Sequence, residues 1–136
     1  MLDLIPETQY RNPLSTWLEP ACGNGNFLIA ILSRKIAYRA EGMSADIHAL
    51  QCLSSLYGID IAPDNVEEAQ SRLYALLDTH IQPEDKEGFL AHVREILNTN
   101  IVQGDFLKPD TVTITQYIWT GTSYTTRKMK LSDCQR

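Results

Sequence analysis

Cysteine is scarce in the 136-residue chain: Cys22, Cys52 and Cys134 are odd in number and widely spaced, with no CxxC and no paired histidine. That excludes a disulfide framework and a zinc site, and leaves reduced thiols and no metal as the expectation. No apolar run approaches the roughly 18 to 20 residues that span a bilayer. The N-terminus also lacks the basic start and apolar stretch of a signal peptide, so a cytoplasmic location without a membrane partner is expected. Repeats and low-complexity stretches are missing too. Basic charge is short, with 12 Lys and Arg against 17 Asp and Glu and a net charge of −5. Residues 1–119 hold eight basic against sixteen acidic side chains; residues 120–136 hold four, Arg127, Lys128, Lys130 and Arg136, against one. Binding duplexes by phosphate neutralisation needs a clustered basic face, which the body lacks. Residues 120–136 read as a loose basic C-terminal tail.

What remains is ordinary: 43% hydrophobic and 8% aromatic residues, enough for one globular domain of residues 1–119 with a core of its own. Residues 15–21 read as a short buried strand that ends at Glu19-Pro20, because proline cannot continue a central ladder. From Asn26 to about Tyr38, Leu28, Ile31, Leu32 and Ile36 keep helical spacing, and Glu41-Gly42 closes the segment. A helix from Ala45 to about Leu53, a strand at Leu56 to Ile61 and a helix begun by Pro63 follow, the last with Val66, Ala69, Leu73 and Leu76 in one stripe. Phe89, Leu90, Val93, Ile96 and Leu97 predict another helix, ended at Asn98 to Asn100, then a strand at Ile101 to Gln103 and a fourth at Thr111 to Trp119. Strands alternating with helices predict an α/β fold with an open parallel sheet and helices on both faces.

In such sheets ligands bind at the carboxyl ends of the strands. Glu19 closes the first predicted strand, Asp60 lies at the end of the second and Asp105 follows the third, so parallel topology is expected to gather three carboxylates at one edge. Between the first strand and its helix, Cys22-Gly23-Asn24-Gly25-Asn26 forms a glycine turn where a ligand can lie against backbone. Leu28 stands where the dinucleotide fingerprint wants a third glycine, which disfavours NAD, and no GxxxxGK[ST] phosphate loop is present. Asp60 suits a ribose, since one carboxylate can accept from two vicinal hydroxyls. Asp105 and Phe106 suit the amino edge and face of an adenine. His48, His80 and His92 sit on separate predicted helices and read as surface residues. Cys22 has no neighbouring cation to depress its thiol and reads as small packing.

Glu19-Pro20-Ala21-Cys22-Gly23-Asn24-Gly25-Asn26-Phe27-Leu28 resembles motif I, [DE]PACGxGxFL, of the class I S-adenosylmethionine-dependent methyltransferases, specifically the N-6 adenine DNA methyltransferases of restriction-modification systems. Tyr57-Gly58-Ile59-Asp60-Ile61 resembles motif II and Gly104-Asp105-Phe106-Leu107 motif III. The resemblance spans most of residues 17–107 and implies a Rossmann-like, truncated methyltransferase fold that takes S-adenosyl-L-methionine. By it, Glu19, Gly23 and Gly25 surround the methionine part, with Pro20, Ala21, Cys22, Asn26 and Phe27 in the same motif. Asp60 takes the ribose hydroxyls, Ile61 packs on adenine, and Asp105 and Phe106 hold its edge and face. The catalytic motif [DNS]PP[YFW] is missing, since no Pro-Pro occurs, and Asn12-Pro13-Leu14 lacks the aromatic ring that stacks on an extruded base. By the resemblance no catalytic residue is assignable, and no target-recognition domain is expected within these 136 residues. The expectation is therefore a cofactor-binding part of a DNA (adenine-N6) methyltransferase, inactive alone, with DNA reached through separate elements and a second copy or partner subunit covering open strand edges. The alternatives are a non-catalytic interaction module and a methyltransferase for protein or small molecules.

Overall fold

The computed structural model describes residues 10–39 and 42–134; Glu41, expected to help close the first helix, lies outside them. Three strands, β1 (Trp17–Glu19), β2 (Leu56–Asp60) and β3 (Ile101–Gln103), form a parallel sheet in the order β1-β2-β3. Trp17 pairs with Leu56 and Asp60 with Gln103, so all three strands run the same way. β2 lies in the middle and is buried along its whole length, which is why it reads as a short run without polar alternation.

Four helices follow from the spacing of apolar residues. In α1 (Asn26–Ala37), Leu28, Ile31 and Leu32 are buried; in α3 (Pro63–His80), Val66, Ala69, Leu73 and Leu77 draw the inward stripe. α2 (Ala45–Ser54) is buried without a break from His48 to Ser54. α4 (Lys86–Asn100) starts at Asp85, whose side chain accepts from the Gly88 N–H at 3.0 Å, a side-chain cap for one otherwise unpaired donor. Leu56 and Ile101 join the main cluster with the inner faces of α1 and α3. A Cβ on Gly58 would meet Leu28 Cδ1 at 2.8 Å, so this glycine lets α1 approach the middle strand.

The other face of the sheet departs from expectation. Tyr57 and Ile59 pack there on Val112, Ile114 and Leu131, with Val102, Phe106 and Met129 against them. These side chains come from β3, the loop after it, a two-stranded antiparallel hairpin of β4 (Thr113–Thr120) and β5 (Ser123–Lys130), and the one-turn α5 (Leu131–Cys134). A mixed α/β fold with a parallel sheet therefore stands, but a hairpin covers the second face where helices were expected. The fourth strand does not join the parallel sheet. Only residues 104–112 link β3 to β4, with a single 3-10 turn at Pro109–Thr111, whereas a parallel return takes a crossover of a dozen or more residues. Nor is the segment 120–136 a loose tail in its described part: all eight residues of β5 pair with β4 across Gly121-Thr122, and Leu131 is fully buried. On its outer side β1 has no strand partner among the described residues.

Candidate functional site

The parallel sheet gathers the carboxyl ends of its strands at one edge, and with them Glu19, Asp60 and, two residues beyond β3, Asp105. The glycine turn crosses the same edge. Its ends are tied down by Cys22 N–H donating to Ile59 O at 2.8 Å and Gly25 N–H donating to Cys22 O at 2.9 Å. Gly23 (φ +53°) and Gly25 (φ +88°) are left-handed. At Gly25 a Cβ would also stand 3.0 Å from Ala69 Cβ, so glycine is required there twice, by conformation and by the close pass of α3. Around Gly23 a Cβ would meet nothing within 4 Å, leaving open space against the backbone.

Asp60 anchors this turn. Its Oδ2 accepts from the Gly23 N–H at 2.9 Å, and its Oδ1 from the Ala62 N–H at 2.8 Å and Asn65 Nδ2 at 3.2 Å. The Ala62 N–H bond, joined by those from Gly23 and Asn65, outweighs desolvation and holds the carboxyl below its ordinary value. Each carboxylate oxygen offers about two acceptor positions, so Oδ1 is filled and Oδ2 keeps one. In this arrangement one hydroxyl, not a vicinal pair, can be taken without displacing a protein donor.

The remaining expected residues divide by exposure. Ile61 is 69% exposed beside Asp60, and Phe27, 39% exposed, stands in the first turn of α1. Pro20, Ala21 and Asn26 are exposed as well. Glu19 is half-buried, with Oε1 3.4 Å from the Ala21 N–H. Asp105 Oδ1 accepts from the Leu107 N–H at 2.9 Å, which leaves Oδ2 without a partner among the described residues. Cys22 and Gly25 are buried. Burial above all, then the charge of Asp60, pushes the Cys22 thiol up to about 11, in keeping with an inert packing residue. Phe106 packs into the cluster on the second face, so its ring serves the core, and Leu107, 87% exposed, is the apolar side chain that this loop presents to solvent.

Sequence reasoning missed the clamp from α3. Arg72 Nη1 donates to Asn24 O at 3.1 Å and Asn26 Oδ1 at 2.5 Å, and holds the glycine turn from outside while Asn65 holds Asp60. Asn65, Ala69 and Arg72 are spaced four and three apart on one helix face, a signal present in the sequence once that face is known to meet the turn. Tyr10, in the segment before β1, is 2% exposed and stacks on Trp17 with ring centroids 5.4 Å apart.

The histidine reading also needs correction at one position. His48 is 2% exposed, with Nε2 3.6 Å from Cys52 Sγ, because α2 is buried along that face. Lys35 lies nearby, fully buried, donating to Ser15 O at 2.7 Å and Ser55 Oγ at 2.5 Å at the opposite, amino ends of the strands. Among the described residues no helix is long and apolar enough to cross a membrane, and no group of three or more His, Cys, Asp or Glu side chains is placed to hold a metal ion. Comparisons with family models, with curated proteins and with solved structures find no match to this chain.

Proposed function

We propose that this chain is the S-adenosylmethionine-binding part of a DNA (adenine-N6) methyltransferase, of the kind found in restriction-modification systems, with a truncated Rossmann-like class I fold. The observation that carries the reading is the strand-end edge, where a glycine turn, an anchored Asp60 and exposed Ile61 lie on the same side of a parallel sheet as Glu19 and Asp105. The donor and acceptor chemistry fits. Asp60 Oδ2 has one acceptor position for a ribose hydroxyl, Asp105 Oδ2 is available to an exocyclic amine, and Ile61 and Leu107 offer apolar surface to a purine. Gly23 leaves backbone accessible for the methionine part, and Glu19 supplies a carboxylate toward its ammonium. When bound, the cofactor would supply a methyl group on a sulfonium; the residues of this chain bind and orient it. Without [DNS]PP[YFW] the chain lacks the motif by which these enzymes grip the amino nitrogen of a target adenine, so binding without turnover is expected.

Thermal unfolding with and without millimolar S-adenosylmethionine tests the reading. The midpoint should rise with ligand for the wild type, because a ligand that binds only the folded state stabilises it. It should not rise for Ile61→Glu, whose side chain is too exposed to matter for folding.

A second reading, an interaction module, has the outer edge of β1 in its favour. Leu18 is 40% exposed there, and Trp17 Nε1 is buried with no hydrogen-bond partner among the described residues. Light scattering across a concentration range checks it: self-pairing along β1 gives twice the 15.4 kDa chain mass, and a monomer at all concentrations removes it.

A further inference from the structure

The basic excess of the C-terminal segment is not spread over a tail but largely built into a ribbon. From Thr113 to Lys130 the hairpin contains Arg127, Lys128 and Lys130 and no Asp or Glu, while the body before it is acidic. Tyr124 and Met129 pack into the two core clusters and fix β5 near both ends. Between them Thr125, Thr126, Arg127 and Lys128 are all exposed, and the outer edge of β5 has no strand partner among the described residues.

The register decides where the cations sit. Arg127 pairs with Gln116 and Thr125 with Ile118, so these four share one face; Lys128 and Lys130 belong to the other, with Thr126. A strand approached edge-on thus carries a guanidinium on one side and ammonium groups on the other. Hydroxyls of Thr125 and Thr126, next to Arg127 along the strand, add neutral donors. The net acidic charge of the remainder of the chain disfavours a polyanion there and orients it toward this edge.

We propose that the exposed edge of the β4–β5 hairpin is a duplex-DNA contact surface, with Arg127 facing one wall of a groove and Lys128 the other. A groove about 12 Å wide admits a two-stranded ribbon of this kind. The choice of DNA rests on the function proposed above; the surface itself rests on charge and register. An acidic peptide added to β5 as a third strand is the competing occupant, and it would use backbone groups on the edge in preference to cations on both faces.

Fluorescence anisotropy of a labelled mixed-sequence duplex of about 20 base pairs tests the proposal. With Arg127 and Lys128 engaged, log K should fall against log salt with a slope of about −1.8. The Arg127→Ala/Lys128→Ala double variant should melt at the wild-type temperature, since both side chains are exposed. It should bind at least about tenfold more weakly at about 50 mM salt, with the salt dependence nearly lost. Absence of binding by the wild type at that salt, or equal binding by the double variant, would overturn the proposal. Displacement of the duplex by poly-glutamate at equal charge would overturn it in favour of an acidic protein partner. Cofactor-dependent stabilisation measured on the same double variant separates the two readings: stabilisation retained without duplex binding loses this surface alone.

Discussion

Asp60 holds the glycine turn with the same carboxylate that the cofactor reading turns toward a ribose. Because hydrogen bonds depress its folded value, its contribution to stability is present at neutral pH and lost as pH falls through that value, below the ordinary 3.8. Asp60→Asn, with one acceptor oxygen in place of two, should cost about 1.5 to 3 kcal/mol in urea unfolding at pH 7 and flatten the acid limb. Gly25→Ala should cost about 2 kcal/mol or more, from left-handed strain and the close Ala69. Lys35 shifts with the opposite chemistry. Burial lowers its amine from 10.5 to about 8, against a smaller upward pull from Cys52. Between these values the unfolded chain binds the extra proton, so stability rises with pH. Relative to Lys35→Met, the wild type should gain about 2 kcal/mol between pH 8 and 10, read as the difference of two denaturation series so that the raised Cys22 and Cys52 thiols cancel. Individual roles at the strand ends were legible only as chemistry. That a carboxylate follows each strand is in the sequence; that Asp60 spends three of its acceptor positions on protein donors, or that Phe106 turns into the core, depends on α3 and the hairpin being in place.

At the scale of elements, the order from β1 to β4 could be read from residues that end or start segments: Pro20 after β1, Pro63 at the start of α3, the polar Asn98 to Asn100 at the end of α4. The hairpin could not, because β5 is mostly exposed and carries no apolar alternation. Its one local signal is Gly121, φ +64°, first in a two-residue loop between β-branched runs, where hairpins favour glycine. The same short link that keeps β4 out of the sheet places Val112, Ile114 and Leu131 over Tyr57 and Ile59. Leu131→Ala should therefore destabilise the chain by about 2 to 4 kcal/mol in chemical denaturation, a buried-leucine cost. A loose tail would give no change.

Across the whole molecule, function follows a separation of charge and of edges. Glu19, Asp60 and Asp105 meet at the carboxyl ends of the parallel strands, while Arg127, Lys128 and Lys130 lie on the hairpin that covers the second face. The first of these was legible because parallel topology alone brings strand ends together; the second was not, because it depends on a strand that only tertiary packing creates. The central claim is that the strand-end edge binds the adenosyl group of S-adenosylmethionine. Titration calorimetry of the wild type beside Ile61→Glu and Asp105→Ala tests it most directly. One molecule of S-adenosylmethionine should bind per chain, at least about tenfold more weakly in each variant as an apolar contact or a charge-assisted hydrogen bond is lost, with both variants folded as the wild type. No binding heat from the wild type, or equal constants in all three proteins, would contradict it.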